Sequence, residues 1–206
     1  MKQFILFSLF FLSQTVFIQA LDVEGRVAYF YPVDNRMRDV YSSKGFAEYE
    51  LELSAPIDAY GCEYMDWDYF ANLSYYQKRG RSTGCECIHN RTEVTNWALN
   101  LGVKRYFDMN CFCTKFRPYL GAGAGFAHVA FHDKSDFVRR HMDEWGFSVL
   151  FKSGLKYDLA CNLFLDLFLD YSYHWFSFCQ CNKCGVENRN PNTGGLKVGL
   201  GLGYQF

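Results

Sequence analysis

The sequence predicts an all-β fold: a closed antiparallel eight-stranded transmembrane β-barrel with a cleaved N-terminal signal peptide. Three observations carry that expectation. Residues 1–20 have the pattern of an export leader. Eight later segments alternate apolar and polar residues with a period of two. The last of these ends on an aromatic residue, Phe206.

Lys2 gives the chain a short positive start, and Phe4 to Ile18 is apolar apart from Ser8, Ser13, Gln14 and Thr15. Gln19-Ala20 then supplies a small residue before Leu21, so cleavage is expected after Ala20. The rival reading is an uncleaved anchor, but the apolar core is short and no stop-transfer charges follow. The expected organisation is therefore 1–20 signal peptide and 21–206 barrel domain. Of the 206 residues, 186 remain after removal of the leader, with 20 basic and 22 acidic side chains and a formal charge of −2. That balance speaks against a nucleic-acid partner. No later stretch approaches the roughly 20 apolar residues that a spanning helix needs. Nine cysteines in an exported chain point to an oxidising compartment.

Taken in order, Val23 to Tyr31 opposes Val27, Tyr29 and Tyr31 to Glu24 and Arg26, and Phe46 to Ser54 opposes Tyr49, Leu51 and Leu53 to Glu48, Glu50 and Glu52. Asp66 to Tyr75 sets Trp67, Tyr69, Leu73 and Tyr75 against Asp68, Asn72 and Ser74. Thr95 to Phe107 sets Trp97, Leu99, Leu101 and Val103 against Asn96, Asn100 and Lys104. Phe116 to Phe131 alternates less cleanly, but its Gly-Ala-Gly-Ala-Gly core at 121–125 suits a tightly curved strand. Glu144 to Asp158 opposes Phe147, Val149, Phe151, Leu155 and Tyr157 to Ser148, Lys152 and Lys156. Leu163 to Phe176 carries Leu163, Leu165, Leu167, Leu169, Tyr171, Tyr173 and Trp175 on one face, with Asp166, Asp170, Ser172 and His174 on the other. Gly195 to Phe206 is the clearest: every even position is large and apolar, and every odd one is Gly, Lys197 or Gln205. A strict period of two means one apolar face per strand. Lengths at or above about 9–11 residues can span a bilayer when tilted, and an even strand count is usual for bacterial barrels.

Alternation alone does not say which face points inward, since a soluble lipocalin-like barrel alternates too. Two features put the polar face inside. The apolar faces are aliphatic along their length and aromatic at their ends. Tyr29, Tyr31, Tyr49, Tyr75, Trp145, Tyr173 and Trp175 fall at the outer edge, and Trp67, Tyr69, Phe107, Tyr157, Tyr204 and Phe206 at the inner edge. Two aromatic girdles around an aliphatic band are the signature of a membrane interface. The polar faces also hold seven acids (Glu24, Glu48, Glu50, Glu52, Asp68, Asp166, Asp170) and five bases (Arg26, Lys104, Lys152, Lys156, Lys197), a set able to pair with itself.

The run Leu200, Leu202, Tyr204, Phe206 resembles the terminal strand of bacterial outer-membrane barrels, in which an aromatic last residue is an assembly signal. Arg117-Pro118-Tyr119-Leu120-Gly121-Ala122-Gly123-Ala124-Gly125 resembles a mid-barrel strand of OmpA-like and OmpX-like eight-stranded proteins. The resemblance implies the outer membrane of a Gram-negative-type bacterium, contact with outer-membrane lipid, and recognition by the barrel assembly machinery. The cysteine richness is closer to envelope proteins of chlamydiae and their relatives, in which disulfides cross-link the envelope.

Cys62, Cys85, Cys87, Cys111, Cys113, Cys161, Cys179, Cys181 and Cys184 all fall between predicted strands. Structural disulfides among loops, or to other Cys-rich envelope proteins, are one reading. Adjacent Cys-x-Cys members are poorly placed to bridge each other. Five cysteines on the outer side are an odd number, so at least one is free or intermolecular. A zinc site built from Cys179, Cys181 and Cys184 with Cys85, Cys87 and His89 is a second reading, and free thiols a third. The oxidising compartment favours the first, so no metal and no cofactor are expected. Lys78-Arg79-Gly80-Arg81 reads as a solvated loop, or as a contact for lipopolysaccharide phosphates. Asp136 to Glu144 is expected to form a short helix in the third outer loop. The expected role is structural or surface-interacting rather than enzymatic. The alternatives are a lipid-modifying enzyme, for which an interior of acids and lysines offers no acyl slot, and a narrow channel or small-solute pore; a general porin is disfavoured by an eight-stranded interior that side chains just fill.

Overall fold

The computed structural model describes residues 21–41, 44–57, 67–83, 89–107, 115–133, 141–160, 162–176 and 192–206. Eight antiparallel strands close into one barrel in sequence order. They are β1 (Asp22–Pro32), β2 (Phe46–Pro56), β3 (Trp67–Thr83), β4 (His89–Tyr106), β5 (Phe116–Asp133), β6 (His141–Ala160), β7 (Leu163–Phe176) and β8 (Gly195–Gln205), with a seven-residue helix α1 (Asn35–Tyr41) between β1 and β2. The seam joins β1 to β8 from Asp22↔Gln205 to Pro32↔Gly195. Following the pairing once around the wall from Asp22 returns to β1 at Pro32, a shear of ten residues. Strands in such a barrel tilt by roughly 35–45°, and side chains just fill the interior.

The alternation sets the faces. Along β2 each of Phe46, Glu48, Glu50, Glu52 and Ser54 is buried, and each of Tyr49, Leu51 and Leu53 is exposed. Leu101, Leu167, Leu200 and Leu202 stand on the outer surface. An aliphatic exterior around a charged interior is the construction of a barrel that spans a bilayer.

The interior has two storeys. The half nearer the chain termini holds the charged side chains. The outer half holds an apolar cluster in which Phe30, Phe46 and Tyr76 pack with ring centroids 5.0–5.2 Å apart. Val94, Ala98, Ala127, Val129 and Phe176 complete it, and Met37 and Tyr41 come down from α1 to cap it. The Tyr41 hydroxyl reaches Thr92 Oγ1 at 3.0 Å. Gly45, at φ 74°, turns the chain from α1 into β2; a Cβ there would lie 2.6 Å from the Phe30 carbonyl oxygen. The sequence pattern shows the polar side chains of the interior but not this apolar storey.

Inward glycines receive inward aromatic rings. A Cβ on Gly102 or Gly123 would meet Phe70, one on Gly154 would meet Tyr119, one on Gly199 would meet Phe168 and one on Gly203 would meet Phe164. The missing side chain is the space that the ring occupies. At Gly102 a Cβ would also lie 2.2 Å from the Ala122 carbonyl oxygen. Gly102→Val should therefore cost about 1–3 kcal/mol. The urea midpoint of the refolded barrel would fall, and a second change, Phe70→Leu, would not restore it, because the backbone contact remains.

Two expectations are corrected. The third and fourth strands run further outward than Tyr75 and Thr95: β3 and β4 stay paired to Thr83↔His89. Lys78-Arg79-Gly80-Arg81 is therefore strand, paired with Arg91 to Val94, and not a loop. Its glycine reads as a turn signal, but Gly80 lies in β3 under α1, where a Cβ would meet the Val40 carbonyl oxygen at 2.4 Å. The helix expected at Asp136 to Glu144 is not one over residues 141–144, which belong to β6; residues 134–140 lie outside the described residues. The outer-side helix instead lies in the first loop. The last strand ends at Gln205, with the Phe206 N–H donating to Leu21 O at 3.0 Å.

Candidate functional sites: the buried charge network and the outer rim

Arg26 projects inward from β1 with no side-chain exposure and is the hub of the charged storey. Its Nη1 donates to Glu50 Oε2 at 3.0 Å and Asp170 Oδ2 at 2.9 Å, and lies 3.4 Å from Glu52 Oε2. Nη2 donates to Asp166 Oδ2 and to the Tyr119 hydroxyl, both at 3.1 Å, and Nε lies 3.1 Å from Glu24 Oε1. The guanidinium also stacks 3.5 Å above the Phe168 ring. A planar fork with five donors can serve several carboxylates at once, which a lysine ammonium cannot do in one plane.

Glu52 is the reciprocal hub, with Lys152 Nζ at 2.6 Å, Lys104 Nζ at 3.2 Å and Asn72 Nδ2 at 3.2 Å. Lys152 also reaches Asp170 at 3.1 Å, and Lys104 reaches Ser54 Oγ at 3.0 Å. Lys197 bridges Glu48 at 2.7 Å and Glu50 at 2.9 Å. Lys156 pairs with Asp22 at 2.5 Å and lies 3.6 Å over the Phe164 ring. Of the twelve charged residues read from the sequence, all but Asp68 are buried and joined in these contacts; Asp68 is half-buried on β3.

Tyr119, Ser54 and Asn72 belong to the same network and Asp22 forms a separate pair with Lys156, although none of the four is among the charged residues that the sequence pattern singles out. Tyr119 donates to Asp166 Oδ2 at 2.7 Å. A signal for it exists in the sequence: it shares the inward parity of Gly121, Gly123 and Gly125 along β5. Every carboxylate that Arg26 and the lysines contact is already engaged by a cation. Among the described residues no group of three or more His, Cys, Asp or Glu could hold a metal ion. The arrangement is a cross-brace tying opposite walls together rather than a site open to substrate.

The girdle residues stand where the strand ends place them. Tyr29, Tyr49, Tyr75, Trp145 and Trp175 are exposed at the outer edge, with Tyr31 and Tyr173 half-buried. Trp97 and His128 complete the outer belt, with Trp97 4.8 Å and His128 4.9 Å from Trp145. Tyr69, Phe107, Tyr204 and Phe206 are exposed at the inner edge, beside half-buried Trp67 and Tyr157. Leu200, Leu202 and Tyr204 face outward on β8, and Phe206 just beyond its end is exposed. None of the eight strands contains cysteine, and all nine cysteines lie outside the described residues, as do residues 1–20.

Beyond the girdle the wall is lopsided. β2 pairs with β3 only as far as Tyr49↔Tyr75, and β6 with β7 only as far as Gly146↔Phe176. β3 to β6 continue together to Thr83↔His89 and His132↔His141. A four-stranded sheet thus rises above the other half of the rim, with Arg79 and Glu93 3.7 Å apart on its outer face and α1 lying against β3.

No protein-family model matches the sequence, and no curated protein matches it. Its fold is nevertheless that of solved outer-membrane barrels. A major outer membrane protein from Thermus thermophilus superposes with a TM-score of 0.61 at 15% identity, covering 91% of this chain and 99% of that one. The Neisserial surface protein A superposes at 0.53 with 13% identity over 91% and 96%. The attachment invasion locus protein Ail of Yersinia pestis superposes at 0.51 with 14% identity over 91% and 98%. At such identities the likeness is one of fold.

Proposed function

We propose that this protein is an outer-membrane barrel with a structural and surface-interaction role, its strands anchoring it and its outer sheet and loops making the contacts. The observation that carries this reading is the filled interior. The charged storey and the capped apolar storey occupy the barrel between them, and the polar surface that remains is the rising β3–β6 sheet. Lipid contacts fall on the aliphatic band and the girdles, and the barrel assembly machinery reads Leu200, Leu202, Tyr204 and Phe206. The nine cysteines cross-link loops, or join the protein to other Cys-rich envelope proteins, as in chlamydia-like envelopes. No enzymatic step is assigned, because the buried network offers no nucleophile with access to a substrate.

Expression in a bacterium with an outer membrane tests the reading. The chain should fractionate with the outer membrane and run as a folded band when unheated. A tag inserted between Thr83 and His89, at the top of the rising sheet, should be labelled on intact cells. A non-reducing gel should show reductant-sensitive higher species. Recovery in the soluble periplasm would overturn the membrane assignment, and a monomer indifferent to reductant would overturn the cross-linking.

A further inference from the structure

The lipid-facing wall carries a groove of about 520 Å³ where β2, β3 and β4 cross the half of the barrel nearer the chain termini. Its shape follows from the pairing. One outward row runs Leu53, Ala71, Leu101 across the three strands, and the next row toward the termini runs Ala55, Tyr69, Val103. The two alanines, on adjacent strands, leave a trough between the larger side chains, and Leu21, just before β1, also lines it. The volume falls within the range of ligand sites, roughly 300–1,000 Å³.

Arg105 stands on the same outer face of β4, one outward position beyond Val103 and opposite Trp67. It is exposed, with its guanidinium carbon 5.7 Å from the Trp67 ring centre and 5.4 Å from that of Phe107. Two aromatic rings thus hold a cation at the inner girdle. The inward cations Arg26, Lys104, Lys152, Lys156 and Lys197 each pair with a carboxylate. Among the described residues no carboxylate pairs with Arg105, and its outward neighbours Trp67, Tyr69, Val103, Phe107 and Leu120 include no acid.

A cation at the edge of a hydrocarbon layer extends toward the headgroups. The anions at that level are lipid phosphates, which a guanidinium fork binds bidentately. Four residues separate Leu101 from Arg105, roughly 13 Å along the strand. Trough and cation therefore fit within one leaflet, half of a hydrocarbon core of about 30 Å.

We propose that the trough and Arg105 form a site for one anionic phospholipid of the leaflet nearest the chain termini. An acyl chain lies over Ala71 and Ala55, and the phosphate sits on the guanidinium. A zwitterionic headgroup would bring its ammonium group to a face that offers it no acid; an anionic headgroup brings none. The site rests on the reading of this chain as a membrane-spanning barrel.

The test takes the protein purified from the outer membrane of an expressing bacterium and held folded in detergent. Phosphatidylglycerol or phosphatidylethanolamine with identical acyl chains is added before native mass spectrometry. The wild type should keep one phosphatidylglycerol in preference to phosphatidylethanolamine. Arg105→Gln should lower the phosphatidylglycerol adduct about fivefold, the factor that one arginine near anionic lipid supplies. Arg105→Lys should retain part of the preference. Ala71→Phe should diminish both adducts, whereas Leu167→Phe, on the lipid face of β7, should change neither. Ala55→Phe replaces Ala71→Phe if the latter gives no folded unheated band. Equal adducts on folded wild type, or an undiminished preference in Arg105→Gln, would overturn the site and leave the membrane reading intact. So would a dimer that Ala71→Phe abolishes, since the trough would then seat a second copy. A wild type with no heat-modifiable band would overturn both.

Discussion

Replacing Arg26 with leucine should destabilise the barrel by on the order of 3–5 kcal/mol, because it leaves buried carboxylates facing one another without their shared cation. Asp170, Glu50, Asp166 and Glu24 all lie within 3.1 Å of the guanidinium in the native interior. Lys152 and Lys197 would still serve Asp170 and Glu50, but Asp166 would keep only the Tyr119 hydroxyl. The measurement is the urea midpoint of the folded, heat-modifiable band in lipid vesicles. Arg26→Lys should fall between the two, since one ammonium retains the charge and loses the fork. A leucine variant as stable as the parent would show that the network does not brace the wall.

The second large effect concerns the outer face. Leu101 is 61% exposed in the middle of β4, within the aliphatic band. Leu101→Arg should cost about 2–4 kcal/mol if that position lies near the bilayer midplane. The same arginine at Thr95, on the outward face of the strand beyond Trp97, should cost little. Refolding into vesicles of the two variants side by side separates the readings. Equal penalties would place the membrane boundary elsewhere, and a negligible penalty at Leu101 would remove that face from lipid.

Much of the architecture can be read in the residues, because a period of two survives wherever one face meets lipid and the other meets charge. Gly195 to Phe206 and Leu163 to Phe176 show this in their strand limits. Legibility fails where that contrast fails. Phe70, Phe164 and Phe168 share a parity with acids and asparagines, and only the glycines opposite them explain why aromatic rings point inward. Lys78 to Arg81 combines charge with a glycine and so imitates a turn, while its pairing partner lies at Arg91 to Val94. Helix α1 is seven residues long and nearly half charged, too short for a periodicity to declare itself; Met37 and Tyr41 find their place only once the barrel mouth exists. The charge network is readable as a set of residues but not as a geometry. That Arg26 is the hub depends on the shear of ten residues, which sets the heights at which side chains of β1, β2, β5 and β7 meet inside the wall.

The seam between β1 and β8 has a consequence for timing. Asp22 pairs with Gln205, and the N–H of Phe206 donates to the carbonyl of Leu21, so the two strands that close the wall come from opposite ends of the chain. No part of that joint can form until nearly the whole polypeptide is available, and contacts of such separation are slow to find. Until then β1 and β8 are both open edges, each able to pair with a foreign strand. The seam is therefore expected to close late in folding. The interval before it is when the chain most needs an escort, and that makes an exposed terminal strand useful as a handle.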